Sequence, residues 1–152
     1  MTHSHPTHPS EHTRSGADHL AGRPLSPTLV AWCERALASA WAGASHLRTM
    51  AVVTGDGFEV AASHLTDAAE RRLAAIASSL HAVSQAAVRE TRLGAHETVL
   101  VSAADGILAV TAFEIAGQAM LLVQVGGSSA TAGALYVRAK EFAQRASALA
   151  AR

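Results

Sequence analysis

The sequence predicts an α/β (α+β) fold in three layers, with helices on both faces of a five-stranded antiparallel sheet. Three observations carry this. Five short apolar runs are separated by turn residues, two of the turns being Asp-Gly, and such runs read as strands joined by hairpins. Helical periodicity fills the segments around them. The strands are apolar at both alternating positions, as in Met120-Leu121-Leu122-Val123, which suits a sheet covered on both faces.

The elements follow in order. Ser26-Pro27 places a good N-cap residue before proline at the first helical position,. A first helix then runs to about Ala42 with Val30, Cys33, Leu37 and Trp41 as its apolar stripe, and Gly43 ends it. Leu47 to Val53 reads as a strand, Thr54-Gly55-Asp56-Gly57 as a hairpin turn, and Phe58 to Ser63 as the returning strand,. Thr66 and Asp67 open the longest helix, which continues to about Arg92 and is closed by Gly94,. Its residues Ala69, Leu73, Ile76, Leu80, Val83 and Ala87 recur at steps of four and three, and this face is expected against the sheet. Three strands follow: Thr98 to Ala103, Ile107 to Phe113 after Asp105-Gly106, and Ala119 to Val125 after a turn at Gly117. Gly126-Gly127-Ser128-Ser129 leads into a last helix from about Thr131, with Leu135, Ala139, Phe142, Ala146 and Leu149 on its face.

Composition narrows the function. The chain has 152 residues and is 49% hydrophobic but only 4% aromatic, so one domain is expected whose layers approach across small side chains. Twelve basic residues balance twelve acidic ones. That excludes the basic surface of a nucleic-acid binder and the polybasic run of a membrane-surface protein. No apolar run approaches the roughly 20 residues of a membrane span, and the N-terminus lacks the pattern of a signal peptide. The single cysteine, Cys33, rules out an intrachain disulfide and fits a reducing compartment. A cytoplasmic protein is expected. Residues 1–24 read as a separate disordered tail holding His3, His5, His8, His12 and His19, with Leu20 the only large aliphatic residue past the initiator,. The folded domain is expected over 25–152.

This order of elements resembles the Roadblock/dynein-light-chain family. The stretch Met50-Ala51-Val52-Val53-Thr54-Gly55-Asp56-Gly57-Phe58-Glu59-Val60-Ala61 is similar to the family's opening hairpin. Leu93-Gly94 before Thr98-Val99-Leu100-Val101, and Leu121-Leu122-Val123 before Gly126, continue the match. The resemblance covers about residues 28 to 150. It implies a Roadblock-like (profilin-like) domain without catalytic residues, acting as a dimer that binds small Ras-like GTPases or serves as an assembly platform around them. Bacterial members of the family often accompany such a GTPase and modulate its cycle. The resemblance also implies that the third strand, Thr98 to Ala103, pairs with its own copy.

Candidate sites are weighed on these terms. The loop Val125-Gly126-Gly127-Ser128-Ser129 could cradle a phosphate, but it lacks the P-loop ending and the dinucleotide spacing; a plain turn is expected. The tail histidines have no geometry to hold a metal, and no Gly-x-Ser-x-Gly elbow accompanies Ser63, His64 and His96,. No catalytic residue, metal site or cofactor is assigned. On the long helix, Ala68, Ala75, Ser79, Ala82 and Ala86 form a small-residue row that permits close helix packing,. These residues, with Thr98, Leu100 and Ser102 of the third strand, are the expected homodimer interface. Arg71, Ser78, Gln85, Arg89 and Arg92 are expected on the outermost face, as a partner platform or a solvated surface. The alternative function is a profilin-like ligand-binding sensory module with a pocket between sheet and helix, which an Ala-rich core leaves little room to form.

Overall fold

The structure of the protein, a computed structural model, describes residues 24–64 and 67–150. Of the segment expected as a tail, residues 1–24, all but Pro24 lies outside them, as does Thr66 at the expected start of the long helix. The elements are α1 (Pro27–Trp41), β1 (Leu47–Thr54), β2 (Glu59–Ser63), α2 (Asp67–Thr91), β3 (Thr98–Ala103), β4 (Gly106–Ile115), β5 (Gln118–Gly126) and α3 (Ala132–Ala150). The strands form one antiparallel sheet in the order β2-β1-β5-β4-β3. The anticipated three-layer α+β architecture is present, with the third strand at one edge of the sheet.

Strand alternation divides the core in two. Met50, Val52, Met120 and Leu122 point to the face covered by α1 and α3, where Cys33, Leu37, Leu135 and Phe142 meet them. Ala51, Val53, Val110, Leu121 and Val123 point to the other face, under α2. On the first face Phe142 receives Trp32 and Phe113 edge-on, at centroid distances of 5.7 and 5.5 Å. Cys33 is fully buried, and loss of solvation, reinforced by the charge of Glu34, pushes its thiol up to about 11. It is therefore a small core hydrophobe and not a reactive group.

Local signals in the sequence are realised with some shifts. The Ser26 hydroxyl accepts from the Leu29 amide at 3.2 Å and caps α1. The first hairpin closes at Thr54, whose hydroxyl also accepts from the Phe58 amide at 2.9 Å, so β2 begins at Glu59 and not at Phe58. Gly57 is required twice over: its φ is +96°, and a Cβ there would come within 3.2 Å of Ser78 on α2. At Gly106 a Cβ would lie 2.1 Å from the Gly126 carbonyl oxygen, which explains the second Asp-Gly turn. The α2 terminus differs from expectation. The left-handed residue is Arg92 (φ 55°), with the Leu93 amide donating to the Val88 carbonyl at 3.2 Å. This is a Schellman cap built without glycine at its usual place.

The face of α2 that meets the sheet is also corrected. Ala74 and Ala77 are the residues buried there, with Leu73 and Leu80 half-buried. Ile76 and Val83 are 52% and 70% exposed. Period alone marks an amphipathic helix; which stripe touches the strands depends on how closely the backbone approaches, and here alanines and Gly57 allow a close approach.

Gln124 is a polar residue that the apolar reading of β5 did not single out. It is fully buried, and its side-chain amide donates to the Leu135 carbonyl at 2.9 Å. It fastens the first turn of α3 to the centre of the sheet.

Candidate functional site

Two neighbouring features stand out on the surface: an open sheet edge and an apolar helix flank beside it. Along β3, Leu100 and Val101 are 47% and 39% exposed, and Ser102 and Ala103 are open. Its outer backbone groups lie at the sheet edge, because β4 pairs with the other side only. Such an edge is a template for another strand. The Thr98 hydroxyl lies 3.0 Å from that of Thr111 on β4, and the exposed side chains of the strand run from Leu100 onward.

On α2 the exposed Ile76 and Val83 join half-buried Leu80 and exposed Ala87 as an apolar flank. A shallow groove of about 370 Å³ runs along Ala75, Ile76, Ser79, Leu80 and Val83. Large aliphatic residues lined up in this way on a surface mark contact sites. The small residues expected at the dimer contact are placed as follows. Ala68, Ala75, Ser79 and Ala82 are exposed and Ala86 half-buried, on the outward side of α2, bordering the apolar flank. Ile76 and Val83, which the sequence assigns to the sheet-facing stripe, thus lie on the surface, as does Val101 of β3.

The basic row divides. Arg71, Gln85, Arg89 and Arg92 are exposed. Ser78 is not outermost: it is half-buried, and its hydroxyl donates to the Gly55 carbonyl at 2.8 Å. Residues seven apart share a helix face, so Arg71 and Gln85 lie on the flank toward the β1–β2 turn, away from the apolar flank.

Near the entry to β3, the His81 and His96 rings meet edge-on, centroids 4.9 Å apart. Partial burial, and then the neighbouring His96, lower the His81 pKa. Protonation thus opposes folding. Stability should be constant above the ordinary histidine value near 6.5 and fall as pH drops below it, levelling off under the lower folded value. We expect the melting temperature to decline between pH 7 and 5.5, and His81→Gln to flatten that decline. A pH dependence identical in wild type and variant would contradict this.

Other arrangements carry less chemistry. The glycine loop after β5 is a turn: the Gly127 amide donates to the His46 carbonyl at 2.8 Å and the Ala130 amide to the Gly127 carbonyl at 3.0 Å. Among the described residues, no three His, Cys, Asp or Glu side chains come together as a metal site requires. A cleft of about 570 Å³ opens at the end of the sheet, where Leu25, Phe58 and Met120 face Asp56 and Gln118. It does not lie between sheet and helix, where the sensory reading places its pocket. No described helix is long and apolar enough to cross a membrane.

Comparisons with known proteins agree with this geometry. The Roadblock/LC7 domain model matches residues 37–125. Among solved structures, the chain is similar to a Roadblock/LC7 domain from Streptomyces avermitilis, at 20% identity and TM-score 0.65, covering 74% of this chain and 92% of that one. It is similar to MglB in a tetrameric arrangement, at 21% identity and TM-score 0.66, covering 83% and 90%. The gliding protein MglB from Thermus thermophilus follows at 20% identity and TM-score 0.62, covering 84% and 91%. A comparison with curated proteins finds no match.

Proposed function

The chain belongs to the Roadblock/LC7 domain family, and from that premise we propose that it is a non-catalytic dimeric regulator or scaffold for a small Ras-like GTPase, acting in a bacterial cytoplasm. The observation that carries this reading is the adjacency of the open β3 edge and the apolar flank of α2. A second copy related by a two-fold axis would close both at once, pairing β3 with β3 and setting the α2 helices side by side. The interface would then comprise Leu100, Ser102 and Val101 from the strand with Ile76, Leu80 and Val83 from the helix. Ala75, Ser79, Ala82 and Ala86 would lie along its border, Ala68 at its far end and Thr98 at the start of the paired strand. The tetrameric arrangement of one similar structure, an MglB, supports assembly of copies as the working form.

The same arrangement leaves Arg71, Arg89 and Arg92 free for a partner. Exposed cations on one flank steer an acidic surface and raise its association rate. Replacing all three by Ala should leave the dimer intact and shift stability by no more than a few tenths of a kcal/mol, as exposed charges do. Affinity for the cognate GTPase, titrated by calorimetry, should fall at least about tenfold, equivalent to about 1.4 kcal/mol. Equal affinities would remove this flank from the platform.

A further inference from the structure

We infer that the C-terminal tip of α2 docks, across the two-fold axis, in a cationic cleft of a second copy of this chain, with Glu90 and Leu93 as the recognition residues. The inference rests on the dimer proposed above and adds to it the register by which copies recognise each other.

The cleft lies beside the N-terminal half of α2, has a volume of about 440 Å³, and is floored by Leu73, Ile76 and Val125. Arg48, Arg72 and His64 border it, and no carboxylate is among its described lining residues. It therefore suits an apolar group that carries a negative charge beside it. The tip of α2 has that chemistry. Leu93 is 76% exposed, the most exposed of the large apolar side chains described. A Schellman cap is commonly accompanied by packing of this residue back on the helix; here the Leu93 side chain is presented outward instead. Glu90 follows Ile76 and Val83 at intervals of seven, so it shares the apolar flank, whereas Arg89 belongs to the opposite flank with Arg71.

The His81–His96 contact, 4.9 Å between ring centroids, puts the C-terminal half of α2 on the β3 side of the sheet. Residues 82–91 of that half span about 15 Å at 1.5 Å per residue. Across a β3–β3 pairing, the partner's β5 lies three strand intervals from β3, or about 14 Å, and Val125 of β5 forms part of the cleft floor.

The height on the sheet also fits. Ser78 bonds to Gly55, so α2 sits toward the β1–β2 turn. β3 occupies the other half, Thr98 pairing with Thr111 and Ala103 with Gly106. A two-fold axis through β3 turns the sheet end for end. The tip of α2 would then meet the partner near the finish of β5, where Thr49 pairs with Val125 and the cleft opens.

A charge swap tests the register. Arg72→Glu places like charges at both docking points of the homodimer, and so does Glu90→Arg. Each variant should weaken self-association at least about tenfold with an unchanged circular dichroism spectrum, since both residues are exposed,. Mixed together, the two variants restore opposite charges at both points, and the heterodimer should recover close to wild-type affinity by sedimentation equilibrium. Leu93→Asp should weaken the homodimer without rescue by either. Dimers of unchanged affinity in every case would overturn the docking while leaving the dimer standing. A monomeric wild type would overturn both.

Discussion

Replacing Ile76 and Val83 together by Asp is expected to leave a folded monomer. Both side chains are more than half exposed in the single chain, so the fold loses little packing. Asp costs up to about 0.7 kcal/mol per residue in helix propensity. In the dimer the same carboxylates would sit unpaired in an apolar seam, and the two-fold axis makes every substitution count twice. Unpaired buried charge is among the largest single-residue penalties. We expect the dimer dissociation constant to rise at least about a hundredfold, near 3 kcal/mol, read by light scattering across a dilution series. The contrasting substitution is Ala82→Arg, on the outward row, where a long cation can reach solvent and the effect should be smaller. Wild-type dimerisation by the double Asp variant would remove the α2 flank from the interface.

Phe142→Ala should be the most destabilising single change in the α1–α3 half of the core. The ring is 2% exposed and packs edge-on against Trp32 and Phe113. Truncating a buried Phe costs about 3–5 kcal/mol, from lost transfer energy and the cavity left behind. Against a typical domain stability of about 5–15 kcal/mol, that is a large share. The melting temperature should fall by roughly 10 °C or more, compared at equal protein concentration because dimerisation is linked to stability. A fall of under about 2 °C would mean that α3 is not held by this cluster.

Much of this architecture was legible in the residues themselves. Ser26-Pro27 marked the start of α1, and Asp56-Gly57 and Asp105-Gly106 marked two hairpins, because few residues adopt the backbone or tolerate the close approaches found there. The doubly apolar strands anticipated a sheet covered on both faces. The orientation of α2 was not legible. Ile76 and Val83 have the composition and period of core residues, and where two apolar stripes adjoin on one helix the sequence shows a single blended stripe, without telling which part turns to the sheet. Ser78 was misplaced for a related reason: a small polar residue on a basic row gives no hint that a hairpin carbonyl, at Gly55, comes within 2.8 Å. The cationic cleft was invisible because Arg48, His64 and Arg72 come from β1, the segment after β2, and α2, and no spacing rule connects them.

One arrangement underlies both the proposed dimer and its register: an open β3 edge and an apolar α2 flank closed together by a second copy. Sedimentation equilibrium of the wild-type chain at micromolar concentration tests it most directly. The expected particle has twice the 15.6 kDa chain mass, or a multiple of that dimer. A single species at 15.6 kDa throughout that range would contradict it.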